Sequence, residues 1–141
     1  MWYSDFVDLI NKAIELNKSN RQLDYIKEAI DILSVKTFLE EYGTVNINIG
    51  RRTGKTKYIM NHVRENDCIV LPSPNIKVKI YGKGNHYNFI YLNDLFSDEN
   101  LPKYDRVYVE LTNFFDTFKL DRVYERLAKH PDQTFVILGE K

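Results

Sequence analysis

The chain lacks most of what small extracellular domains rely on. Cys68 is the only cysteine, so neither an intrachain disulfide framework nor a cysteine-based zinc site can form. The three histidines, His62, His86 and His130, are scattered without the spacing that gathers ligands around one metal. No apolar run approaches the roughly 20 residues that cross a bilayer. The start, Met1-Trp2-Tyr3-Ser4-Asp5, shows no basic stretch followed by an apolar one, the pattern of a secretory leader. An excess of charge of one sign is also missing. The 20 basic and 20 acidic residues cancel, so any contact with a polyanion must be a local patch rather than a global attraction. A reducing, cytoplasmic setting without a membrane is the expectation.

What remains is an ordinary globular composition. With 43% hydrophobic and 28% charged residues among 141, the chain has about the size of one domain with a modest core. No internal repeat or low-complexity segment interrupts it. Asparagine, tyrosine, isoleucine and lysine are abundant and alanine is scarce, a bias that suits an AT-rich genome such as that of a phage or mobile element.

Two helical stretches open the chain. Ser4 is placed to cap the first, with Asp5 in its first turn, and Phe6, Leu9, Ile10, Ala13 and Ile14 recur at helical spacing. After a polar turn at residues 18–21, Leu23, Ile26, Ala29, Ile30, Leu33 and Leu39 mark one face of a second stretch that stops near Gly43. At Thr44 the period changes to two, with Val45, Ile47 and Ile49 apolar, which predicts a strand. A helix from Lys55 to about Glu65 and a short strand over residues 67–71 follow, the strand ended by Pro72-Ser73-Pro74. Residues 76–81 and 86–92 read as two strands joined by a hairpin turn at Gly82-Lys83-Gly84-Asn85. Residues 93–103 read as a polar loop or short helix, 106–110 as a strand, 120–129 as a helix and 134–138 as a last strand. The alternation predicts a three-layer α/β core over residues 44–141 with a mainly parallel sheet and a β-hairpin. Residues 1–43 are expected as a helical extension, with no linker between it and the core.

The segment Gly50-Arg51-Arg52-Thr53-Gly54-Lys55-Thr56 falls between a predicted strand and a predicted helix. Backbone N–H groups that converge at a helix N-terminus suit an anion. Glycine permits the close approach and the unusual angles this needs. A lysine then reaches terminal phosphates, and a hydroxyl residue meets magnesium. A solvated basic turn is the plain alternative.

With these residues the chain resembles the P-loop NTPase superfamily, whose Walker A pattern is GxxxxGK[ST]. Here the first glycine is displaced by one position, to give GxxxGKT, and two arginines stand inside the loop. Such variants look like those of phage terminase ATPases and helicase-like motors. The resemblance implies nucleoside triphosphate binding, with ATP expected, and magnesium-dependent hydrolysis. It places Lys55 on the β- and γ-phosphates, Thr56 on magnesium, Arg51 or Arg52 on the γ-phosphate, and Gly50, Thr53 and Gly54 in the cradle. Tyr104-Asp105-Arg106-Val107-Tyr108-Val109-Glu110 looks like the family's second motif, with Glu110 as the acid that holds magnesium. Asp105 is the other candidate, but it stands at the strand's beginning, away from the end where ligands gather. Family members often carry a catalytic glutamate directly after that acid, where this chain has Leu111, so the resemblance implies slow turnover. Thr112, Asn113 and Asp116 lack the expected spacing. Beyond the last strand, where the family often has a polar sensor residue, the chain offers Gly139 and Glu140, and a minimal or truncated core is expected.

Lys77, Lys79, Tyr81, Lys83, Tyr87 and Tyr91 lie across the expected hairpin, where lysines can meet phosphates and tyrosines can stack on unpaired bases. Lysines that guard an exposed edge strand are the competing explanation. Phe114, Phe115 and Phe118 are expected in the core or an interface. Three functional classes follow. One is a small ATPase serving nucleic-acid handling, completed by a neighbouring subunit in an oligomer. A second is a nucleoside or nucleotide kinase, since residues 110–115 resemble the acidic-aromatic segment of thymidine kinases. The third is a catalytically weak nucleotide-binding module that acts as a partner or inhibitor protein, with Arg21, Lys27 and Lys36 on its contact surface.

Overall fold

A computed structural model describes residues 3–48, 54–75, 77, 87–97, 99–110 and 117–139, of which 117 and 118 through their backbone alone. Helices α1 (Tyr3–Asn20), α2 (Asp24–Ile32) and α3 (Val35–Tyr42) precede strand β1 (Thr44–Asn48). Next come α4 (Lys55–His62), β2 (Cys68–Leu71), β3 (Asn88–Tyr91), the short α5 (Leu92–Leu95) and β4 (Arg106–Glu110). Helix α6 (Thr117–Leu127) and strand β5 (Thr134–Gly139) complete the described order.

The five strands form one parallel sheet in the order β1-β5-β4-β2-β3. From β1 the chain crosses to β2 and outward to β3, then turns back through β4 to β5. Parallel crossovers are right-handed, so that reversal sends the connecting helices to opposite faces. The packing agrees. Phe6, Ile10 and Ile14 of α1 and Tyr58 and Ile59 of α4 bury against Val45, Ile69, Tyr108, Val136 and Leu138. On the other face, Ile26 of α2, Phe38 and Leu39 of α3, Leu95 of α5 and Val123 and Leu127 of α6 bury against Val70, Val107, Val109, Phe135 and Ile137. Strands β2 and β5 are buried along their whole length, which is why their sequences read as continuous apolar runs instead of alternating ones.

Three expectations about the secondary-structure elements are corrected. The second helical stretch is two helices, because Leu33 turns to extended backbone and the Ser34 hydroxyl accepts the Thr37 N–H to start α3 afresh. Ser4 lies within α1, not at its cap. The expected hairpin is corrected at the residues that are described, since residues 76 and 78–86 lie outside them. Lys77 sits in a helical turn with its N–H on the Ser73 carbonyl, 3.2 Å, and β3 pairs in parallel with β2. A parallel neighbour needs a crossover of a dozen residues or more, and the long stretch between Leu71 and Asn88 supplies it.

Buried polar groups fix the loops at the amino-terminal edge of the sheet. Gln133 is fully buried and uses all its capacity. Its amide donates to the carbonyls of Tyr104 (2.8 Å) and Leu127 (3.0 Å) and accepts from the N–H groups of Lys129 (2.6 Å) and His130 (2.9 Å). Arg21, expected on a contact surface, is buried instead. Its guanidinium donates to the carbonyls of Pro131 (3.0 Å) and Gln133 (2.6 Å) and to the Thr134 hydroxyl (2.6 Å). Lys36 is tied down too, 2.7 Å from both Glu40 and Asp121. Among the described residues no helix is long and apolar enough to cross a membrane.

Candidate functional site

In a parallel sheet every strand delivers its carboxyl end to the same edge, and ligands gather there. At this edge stand Asn48 of β1, the start of α4, Glu110 of β4 and Gly139 of β5. Gly54 opens α4 in a left-handed conformation, φ +91° and ψ 24°. Non-glycine residues rarely adopt that shape. The tyrosine ring of Tyr3 fills the space a side chain would need, because a Cβ at Gly54 would lie 2.7 Å from Tyr3 Cδ1. The first N–H groups of a helix have no partner within the helix, and its dipole is positive at that end. Gly54 has no side chain to cap them.

Lys55 and Thr56 follow in the first turn. Lys55 is 8% exposed and Glu110 9%, so both charged groups sit at the rim of the core. Side chains alternate along β4, which puts Arg106, Tyr108 and Glu110 on the face that α1 and α4 cover. Glu110 therefore points to the same side as α4, and the Thr56 hydroxyl donates to Glu110 Oε1 at 2.5 Å. The contact joins the helix after β1 to the end of β4, with β5 between the two strands. Asp105 occupies the opposite edge and is exposed; there its N–H donates to the Asn66 carbonyl, 2.8 Å.

Two residues of this neighbourhood carried no sequence signal. Tyr3 packs on Gly54, accepts from Asn61 Nδ2 at 3.1 Å through its hydroxyl, and takes the Lys57 ammonium 4.3 Å above its ring. Asn48 faces Gly139 across the sheet end, its Oδ1 2.0 Å from where a Gly139 Cβ would stand. Gly139 ends the strand and the polar group beside it comes from β1, while Glu140 lies outside the described residues. Gly50, Arg51, Arg52, Thr53, Leu111, Thr112, Asn113 and Asp116 lie outside the described residues, as do Phe114 and Phe115 and the side chain of Phe118.

Elsewhere the candidate residues are dispersed. Lys77 places its ammonium 5.5 Å from the Phe89 ring centroid, while Lys79, Tyr81 and Lys83 lie outside the described residues. Tyr87, Phe89 and Tyr91 line one side of β3, their successive ring centroids 6.3 and 6.4 Å apart, half-buried beside the α1 and α4 cluster. Burial pushes the Cys68 thiol well above its ordinary value, and the Asp67 carboxylate adds to that, so it is a core residue, not a nucleophile. Among the described residues no group of three histidine, cysteine or carboxylate side chains could hold a metal. Comparison with protein-family models, with curated proteins and with solved structures finds no match.

Proposed function

We propose that the carboxyl edge of the sheet binds a nucleoside triphosphate, ATP in the first instance, together with magnesium, and hydrolyses it slowly. The observation that carries this reading is the 2.5 Å contact between Thr56 and Glu110. Two oxygen groups far apart in sequence meet beside the first turn of a helix that a left-handed glycine opens. Magnesium takes hard oxygen donors, commonly one or two from protein with the rest from water and phosphate, and a hydroxyl with a carboxylate fits that donor set. Bound magnesium supplies positive charge to the phosphate oxygens.

The chain's own residues then have separate tasks. The backbone N–H groups at the start of α4 hold phosphate oxygens along the helix dipole. Lys55 adds an ammonium at the same helix end, which favours the charge that builds on the transferring phosphoryl group. Glu110 accepts from Thr56 and so keeps the hydroxyl turned toward the edge. Arg52, with Arg51, brings further positive charge in the sequence just before Gly54. Leu111 follows Glu110, so the position that would offer a base to the attacking water is apolar. Slow turnover follows from that substitution.

Equilibrium binding of a fluorescent ATP analogue, with and without magnesium, tests this. Wild type should bind more tightly with magnesium, and Thr56→Val should lose most of that gain while keeping its fold. Binding that magnesium does not change in either protein would contradict the proposal.

A further inference from the structure

The opposite edge of the sheet carries a cluster of cations that the nucleotide reading does not use. Lys18 in the last turn of α1, Arg64 after α4 and Arg106 at the start of β4 surround a cavity of about 310 Å³, together with Asp105, Asp132 and Thr134. Lys18 and Arg106 also line an adjoining hollow of about 280 Å³ beneath α1, together with Glu15, whose carboxylate lies 3.9 Å from the Lys12 ammonium. Like charges do not collect around a hollow without cost, and here the neighbouring acids are largely spoken for. Asp67 is fully buried and accepts from the N–H groups of Arg64 (2.9 Å) and Arg106 (3.1 Å) and weakly from Arg64 Nε (3.4 Å). Asp132 pairs with Lys103 at 3.0 Å and His130 at 2.8 Å. Asp105 is exposed, as Lys18 and Arg64 are, and solvent screens all three charges.

Arg64 has the Asp67 carboxylate 3.4 Å from its Nε, whereas the other two cations are short of partners. Among the described residues no carboxylate lies within 4.0 Å of the Lys18 ammonium. Burial lowers its pKa, and the guanidiniums of Arg106, Arg64 and Arg21 lower it further. Arg106 donates to the Tyr108 hydroxyl at 3.2 Å, but its Nε is buried with no hydrogen-bond partner. A buried N–H donor without an acceptor is costly, and an oxyanion would satisfy it.

We propose that this amino-terminal edge is a second anion site, which seats a phosphate group among Lys18, Arg64 and Arg106. Two guanidinium forks and an ammonium match a multiply charged tetrahedral oxyanion better than a single carboxylate. The site is separated from the Lys55 edge by the length of β4, about 13 Å at the rise of a strand. The phosphate can belong to a small phosphorylated molecule or to a nucleic-acid backbone, since both offer the same oxygens.

The test uses the full chain carrying Lys55→Ala, so that a failure of the nucleotide reading cannot mask the result. Backbone amide NMR shifts are followed during titration with inorganic phosphate and, separately, with a short single-stranded oligonucleotide. Saturable shifts at Lys18, Arg64 and Arg106 are expected. Adding Lys18→Gln or Arg64→Gln, both at exposed positions, should weaken binding by about tenfold. Tighter binding of the oligonucleotide at the same residues would assign the phosphate to a nucleic-acid strand, and preference for free phosphate to a small ligand. Shifts at none of the three residues with either probe, or unchanged affinity in both glutamine variants, would overturn the proposal.

Discussion

Replacing Gly54 by alanine probes the helix start on which the candidate site is built. Two separate costs are expected. At φ +91° an L-residue pays about 1–2 kcal/mol for left-handed backbone. The added Cβ would also stand 2.7 Å from Tyr3 Cδ1 and 3.1 Å from Cε1, so the ring must move and its contact with Lys57 at 4.3 Å is disturbed. Together these give about 2–3 kcal/mol, which for a chain of this size lowers Tm by about 4–10 °C. Urea unfolding of Gly54→Ala, Tyr3→Ala and the double variant separates the terms. With the ring removed, only the backbone cost should persist, and a coupling of about 0.5–1 kcal/mol should appear. Were Gly54→Ala as stable as wild type, the left-handed start of α4 would be wrong. Equal costs with and without the ring would refute the contact with Tyr3.

Three further outcomes follow. Gln133→Ala strips partners from two N–H groups and two carbonyls at once, so chemical denaturation should show a loss of about 3–4 kcal/mol; a loss under 1 kcal/mol would contradict the network. Burial raises the Tyr58 phenol above its ordinary 10.0, and the neighbouring Tyr108 adds to that. The folded state thus holds a proton that the unfolded state releases, and the associated stability is complete below pH 10 and falls as pH rises beyond it, by up to about 1.4 kcal/mol per pH unit for each such phenol. Urea midpoints at pH 9 and 11 should fall accordingly, and less steeply in Tyr58→Phe; a flat profile would refute the assignment. Lys36→Ala removes an exposed ion-pair cluster with Glu40 and Asp121, and its cost should stay below about 1 kcal/mol and shrink in high salt.

Much of the sheet was legible because its signals are local. The period-two run of β1, the apolar runs of β2 and β5, and the strand over 106–110 all appear close to their expected bounds. The same reading put Glu110 and Asp105 at opposite ends of one strand, and they lie at opposite edges. What failed depends on distant parts of the chain. Leu33 and Leu39 continue one helical stripe, so only the Ser34 cap shows the break. The glycine-rich turn at residues 82–85, which suggested a hairpin, lies outside the described residues, among which β3 pairs with β2 and Lys77 is helical. Arg21 read as a solvated cation, but its acceptors at Pro131, Gln133 and Thr134 lie more than a hundred positions away. Tyr3 likewise gained its place over Gly54 through folding alone.

Thermal unfolding with Mg-ATP, Mg-GTP and their diphosphates, in wild type and Lys55→Ala, tests most directly whether the start of α4 is a triphosphate cradle. At a nucleotide concentration of about 100 times Kd, binding stabilises by about 2.7 kcal/mol, which raises Tm by about 5–10 °C. Wild type should show that rise with a magnesium triphosphate, and Lys55→Ala should not. Identical melting of both proteins with and without every nucleotide would contradict the account.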